Sequence, residues 1–365
     1  MSTLGPNDLK QWALPPGWDA DRLKQLELAS GENYDDLIND ISTGLSIANS
    51  MLMSDPIMSS LITIDTEMAI EYPIGVSNGF EDHTEYSTPD AKRAGTTGHM
   101  KEVVDKDRKL LWTFDFLRKA RRMQIDADIA SAMADLENVW QQTNLQRLFK
   151  STYTAVASGK SMPVADGGTA DSTYVPPNVP ARASAFAYTH THLLRLDGIT
   201  QANLETAVEH LWEHGYDAPY DLLVAQADMS SWSNTTNVTG WVKRADGLIK
   251  YGNQTDLATV GDQYIAVIET STYGPVRVRA TARIPTGYWT VYKSYGALDS
   301  RNVLTVTPSM TWGLGAALIP GRQIQHYPLE GAMLRLEFYH GIRDRVGAVL
   351  VENDTSGSYA TPTIS

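Results

Sequence analysis

The stretch with the most chemistry in its spacing is His210-Leu-Trp-Glu213-His214. Two imidazoles four residues apart share one face of a helix and can grip a zinc ion, with a carboxylate beside them as base; this is the H-x-x-E-H pattern of inverted zinc proteases. His190-x-His192 lies shortly before it and could add ligands. Several features weigh against a metal. The pattern is short, and His214 directly precedes Gly215 in what would be the fraying last turn. A histidine there is explained by the helix dipole, which favours a cation at the C-terminal end. Alternating histidines also tend to face one side of a strand or loop. The reading therefore treats these histidines as capping or surface groups.

Other chemistry is thinner still. Gly159-Lys160-Ser161 looks like the tail of a phosphate loop, but Thr154 stands where the first glycine belongs. No GxGxxG follows a strand, and no GxSxG occurs. The absence of cysteine excludes disulfides, thiolate nucleophiles and Cys-type metal sites. Asn234, Asn237, Asn253 and Asn353 match the glycosylation pattern, yet no secretory signal is visible, so they read as turn and strand residues. No catalytic, cofactor-binding or metal residue is assigned, and the chain reads as a non-enzyme.

The elements that would carry these residues follow from periodicity. Leu37, Ile41, Leu45 and Ala48 recur at helical spacing, and Asp55-Pro56 breaks that pattern. Pro15, Pro16 and Gly17 mark a turn before a short helical pattern at Leu23–Ala29. Ile62, Ile64, Met68 and Ile70 alternate as in a strand, and a polar stretch rich in Gly, Ser and Thr follows, reading as a long two-stranded loop. Residues 105–150 give the strongest helical signal, with Ile125, Ile129, Met133, Leu136 and Trp140 on one stripe and no Gly or Pro between Lys101 and Lys150. A helix of about 36 residues, about 54 Å long, is expected there. Arg118, Lys119, Arg121 and Arg122 cluster on it.

Residues 151–196 look irregular, with Gly167-Gly168 and Pro176-Pro177 as punctuation. A second helix is expected near 197–214: Leu204, Ala207, Val208, Leu211 and Trp212 form one stripe, with Thr200 as N-cap and Gly215 as stop. DLLVAQ reads as a buried strand. Beyond residue 230 the chain is mostly β, with strands at Tyr264–Glu269, Val276–Arg283, Tyr288–Lys293, Val303–Thr307, Leu334–Tyr339 and Val346–Glu352. Val276, Val278, Ala280 and Ala282 alternate with Arg277, Arg279 and Arg283, which implies one buried and one cationic face.

Composition bounds the rest. The 365 residues are 42% hydrophobic and 20% charged, enough for an ordered core. No apolar run is long enough to span a bilayer. Action in the cytoplasm, or in something assembled there, is expected. The net charge is −13 and uneven: residues 1–100 hold 16 acids and 5 bases, residues 101–150 hold 8 acids and 10 bases. Segments of different subunits could pair by charge. The acidic balance argues against base-specific DNA binding through a broad basic face.

The order of elements resembles an HK97-type major capsid protein of a tailed double-stranded DNA bacteriophage. The stretches that carry the resemblance are LETAVEHLWEHGYDAPYDLLVAQADMSSW, GYWTVYKSYGALDSRNVLTVTPSM and the close from HYPLEGAMLRLEFYH to Tyr359-x-x-Pro362. The resemblance implies an α+β HK97-type capsid fold. Residues 1–60 would be an N-terminal arm and 61–104 an extended β-hairpin loop. A peripheral domain with the spine helix would take 105–196, an axial domain 197–325, and 326–365 would return to the peripheral domain. It further implies self-assembly as pentamers and hexamers into an icosahedral shell, a portal protein, separate scaffold and decoration proteins, and non-specific contact with packaged double-stranded DNA. The chain would reside in the virion and touch no membrane. The acidic front would pair with Arg118, Lys119, Arg121 and Arg122 of an adjacent spine helix; alternatively, those bases face DNA. With about 60 residues before the loop, no maturation cleavage is expected. Some relatives form a Lys–Asn cross-link, for which Lys92 and Asn353 have the right residue types. The competing readings are an encapsulin-like nanocompartment shell, a zinc hydrolase using His210, Glu213 and His214, and a tail or baseplate component.

Overall fold

The structure, a computed structural model, describes residues 34–74, 95–113, 116, 119–184, 186, 188–243, 264–319 and 329–365. The turn at Pro15–Gly17, the Leu23–Ala29 pattern, Lys92, Arg118 and Asn253 lie outside them. Two compact units are built from interleaved segments. One comprises Met1–Leu52, Asp105–Val139 and Met310–Glu337; the other comprises Met53–Val104, Trp140–Ser309 and Phe338–Ser365. Helices and mixed sheets combine, in keeping with the α+β expectation.

In chain order the elements are α1 (Tyr34–Ser54), α2 (Pro56–Leu61), β1 (Ile62–Ile64), β2 (Ala69–Ile74), β3 (Gly95–Met100), β4 (Glu102–Thr113), α3 (Arg122–Phe149), β5 (Thr154–Val156) and β6 (Gly159–Ser161). Then come β7 (Leu193–Arg195), α4 (Gln201–Glu213), β8 (Tyr220–Ala225), α5 (Met229–Trp232), β9 (Trp241–Lys243) and β10 (Ala266–Glu269). The last are β11 (Pro275–Thr281), β12 (Tyr288–Tyr292), β13 (Leu304–Pro308), β14 (Ala316–Ile319), β15 (Leu329–Ile342) and β16 (Ala348–Glu352).

In the first unit, α1 buries Ile41 and Leu45 of the expected stripe, leaves Ala48 half-buried, and adds buried Leu52 one turn further on. Asn49 on this helix pairs with a strand backbone: its Nδ2 donates to the Ala316 carbonyl and its Oδ1 accepts from the Ala316 N–H, both at 2.9 Å. Gly315, at φ +92°, has no room for a Cβ, which would collide with the Asn49 side chain. Asp40 bonds Arg122 at 2.7 Å, so one acid of the front segment meets the basic cluster inside its own chain, where a neighbouring copy was expected.

The long helix is shorter than expected. Residues 102–113 form β4, and α3 starts only at Arg122 and runs 28 residues. The lack of Gly and Pro misled the reading. β4 pairs with β15, whose Arg335 donates to Asp105 at 2.6 Å. Pairing across a sheet with a strand so distant in sequence decides the conformation, not local helix propensity. Arg121 precedes α3 and Arg122 opens it, so the basic cluster sits at the helix start. Within α3 the apolar stripe holds, with Ile125, Leu136 and Trp140 buried.

In the second unit, a seven-stranded sheet has the order β7-β16-β12-β8-β11-β10-β9. Two pairs are parallel, β7 with β16 and β11 with β8. The sheet takes β7 and β16 from outside the 197–325 segment. Helix α4 packs into the same core. Thr200 caps it, its Oγ1 accepting the Asn203 N–H at 3.2 Å. Leu204, Ala207, Val208 and Leu211 are buried against Leu222, Val224, Trp289 and Val349, while Trp212 is only partly covered. Each larger apolar chain so buried contributes about 1.5–3 kcal/mol.

Strand β13 pairs parallel with β1 and antiparallel with the end of β15, Leu304 facing Ile342. Strands β2 and β3 form an antiparallel ribbon, Ala69 facing Met100 and Ile74 facing Gly95. Buried Tyr72, Met162, Tyr174 and Val346 pack around its root. Arg345 lies over the Tyr174 ring at 4.1 Å. His99 bonds Asp171 at 3.1 Å. The final residues run along the end of α3: Gln146 donates to the Pro362 carbonyl at 3.0 Å and accepts from the Ile364 N–H at 3.1 Å.

Candidate functional site

The histidines that the sequence reading set aside come together, though not in the pairing their spacing suggested. His192 immediately precedes β7, held by its N–H to the Ala165 carbonyl at 2.8 Å and by the Leu350 N–H on its own carbonyl at 2.8 Å. His190 lies two residues earlier, its carbonyl accepting from Gly167 N–H at 3.1 Å. His214 caps the C-terminal end of α4 and is followed by Gly215 at φ +93°. A Cβ on Gly215 would sit 2.7 Å from Val179, so the chain reverses tightly and turns the His214 ring inward.

His192 Nε2 lies 2.9 Å from His214 Nε2, which lies 3.1 Å from His190 Nε2. His192 Nδ1 meets the Ala348 carbonyl at 2.9 Å, and His214 Nδ1 bonds the Pro177 carbonyl. A carbonyl only accepts, so each Nδ1 carries the hydrogen and each neutral ring presents a bare lone pair at Nε2. Phe186 covers the group, stacked on His190 at 4.1 Å and 4.9 Å from His214. Three imidazole nitrogens in this arrangement could hold a metal ion.

The environment keeps these rings neutral. Burial, then the neighbouring His214 and His210, push His190 down to about 3. Burial lowers His214 to about 4, against the bond to Pro177. His192 is fully buried and falls well below the ordinary 6.5. The helix-dipole account of His214 as a surface cation is thereby corrected: desolvation outweighs the dipole. His210 packs beside the cluster, its ring stacked on His190 at 5.3 Å and its Nδ1 bonded to the Thr206 carbonyl one turn back at 2.9 Å, but it is not among the three residues whose nitrogens converge. Glu213 is raised by burial.

Elsewhere the strand pattern at Arg277 and Arg279 is corrected. Arg279 is 2% exposed, and the presumed cationic face is an internal ion pair. Asp221 accepts from Arg277 at 2.5 Å and from Arg279 Nε at 3.1 Å. A lone acid opening the apolar run DLLVA was the available signal, because a buried charge requires a partner. Gly159-Lys160-Ser161 is strand β6, paired back on β5, not a phosphate loop. Asn234 serves a turn, accepting from the Thr236 N–H at 3.0 Å. Asn353 Oδ1 accepts from Trp289 Nε1 at 2.8 Å.

No protein-family profile matches the chain, and no curated protein matches it. Solved structures do. A chain from Mycobacterium phage Patience superposes with a TM-score of 0.64 at 21% identity, covering 92% of this chain and 93% of that one. The mature capsid of bacteriophage PhiM1 gives 0.46 at 10% identity, with 80% and 85% covered. The SrpI encapsulin of Synechococcus elongatus PCC 7942 gives 0.44 at 11% identity, with 82% and 88% covered. The fold assignment stands on the Patience chain. The resemblance to phage proteins read from the order of elements holds at the level of fold. Among the described residues no helix is long and apolar enough to cross a membrane.

Proposed function

We propose that the chain is the major capsid protein of a tailed double-stranded DNA phage. It assembles as pentamers and hexamers into an icosahedral shell with an HK97-type division into arm, extended loop, spine helix, peripheral and axial domains. The observation that carries this reading is the near-full-length likeness of fold to the Patience chain. A physical feature supports it. Met310 is 99% exposed and Met123 81%, while Met51 and Ile47 are also more than half exposed. Large apolar side chains left this exposed are the kind of residue that neighbouring copies cover.

Heterologous contacts that close into rings would form the capsomers. A portal, a separate scaffold and decoration proteins are the expected partners. Lys119 and Arg121 would meet DNA through phosphate alone, without base readout. The protein resides in the virion after assembly in the host cytoplasm, and performs no catalysis. Negative-stain microscopy of the expressed chain tests the reading, with closed icosahedral particles expected. A compact monomer that persists at high concentration overturns it. Nuclease-protected DNA inside native particles separates a phage shell from a nanocompartment holding protein cargo.

A further inference from the structure

We propose that His190, His192 and His214 bind one divalent transition-metal ion, of the Zn²⁺ class, as a structural staple. Neutral imidazoles leave one contact in this cluster unexplained. With Nδ1–H of His192 and His214 committed to the Ala348 and Pro177 carbonyls, no hydrogen is left between their Nε2 atoms, 2.9 Å apart. Two lone pairs at that distance repel. His190 can satisfy only one of them, and its own Nε2 lies 3.1 Å from His214.

A cation at the convergence point removes the conflict. Nitrogens about 2.0–2.1 Å from a tetrahedral zinc stand about 3.3 Å from each other, so the observed spacings need to open only slightly. The carbonyl bonds to Nδ1 are the outer contacts that fix ring orientation and tautomer in metal-binding histidines. Burial supports the same end, because a ligating imidazole must be unprotonated. The donor set selects the metal: imidazoles without an oxygen cage suit zinc or its late neighbours, not Mg²⁺ or Ca²⁺. Water completes the fourth position.

The staple would join three segments: the loop carrying Pro177 and His190, the C-terminal end of α4, and the start of β7 beside β16. A chain with no cysteine has no disulfide to hold such segments. This inference stands apart from the shell reading, because it concerns each folded chain whether or not it assembles.

The test uses the untagged full-length chain, stripped with a chelator, loaded with Zn²⁺ or Co²⁺ and desalted. Elemental analysis is expected to give about one zinc per chain, and Co²⁺ an intense tetrahedral visible spectrum. Zinc should raise the thermal midpoint and chelator reverse it. His190→Gln, which spares the Nδ1–carbonyl bonds of the other two ligands, should weaken binding by roughly tenfold or more, whereas His210→Gln should leave it unchanged. X-ray absorption of the zinc-loaded wild type should count about three imidazoles, independently of how the variants fold. Folded wild-type protein that retains well under one zinc overturns the proposal. So does binding that His190→Gln spares, that His210→Gln abolishes, or that shows no imidazole scattering.

Discussion

Asp221 shows how much one carboxylate can hold. It lies in β8, where all six residues are buried, and it answers two arginines. Asp221→Ala would remove the carboxylate that bonds the buried Arg279, and a loss of about 3–5 kcal/mol is expected in urea unfolding. Asp65 makes a pH prediction. Burial works to raise its pKa, but bonds from Lys101, Thr305 and Thr307 outweigh burial and hold it below 3.8. A carboxylate depressed by folding stabilises above its unfolded pKa, and the benefit disappears as pH falls through the folded value. Thermal midpoints should therefore drop below about pH 4, with a shallower drop in Asp65→Asn. At this scale the sequence named all four histidines that come together, but not which three point their nitrogens at one place. Spacing of four joins His210 to His214, but a ring also needs a direction, and His210 bonds its own preceding turn. The proximity of His214 to His190 and His192 depends on a chain reversal that no local periodicity encodes.

At the scale of elements, local signals were legible wherever one segment decides its own ending. Thr200 and Gly215 bound α4 as expected. Asp55-Pro56 does more than break a helix: Asp55 accepts from the Ile57 and Met58 N–H groups at 2.8 and 2.7 Å, so it also starts α2. Gly215→Ala is expected to cost more than about 1 kcal/mol, from positive φ combined with the approach of Val179. Hydrogen exchange at the end of α4 should read this directly, with faster exchange in the variant. Strand β4 was not legible in the same way. Its alternating charges suit a solvated helix face equally well, and its partner strand lies more than two hundred residues away.

For the whole molecule, the exposed methionines offer a way to test folding and the proposed assembly separately. Met123→Glu and Met310→Glu should each leave subunit stability within about 0.5 kcal/mol of wild type. Each should nevertheless reduce particle yield in sedimentation and microscopy, since a charge would enter an apolar contact. Unchanged particle yield from both would remove the physical support for the shell reading given above. The Asn49–Ala316 pair has a consequence of a different kind. Among the described residues strand β14 ends its sheet, and a sheet margin with free amides invites stray chains to add themselves. The Asn49 amide mimics one rung of a missing strand, occupying both polar groups of Ala316. At that position an incoming strand would find both polar groups already taken, by a single side chain borrowed from a helix.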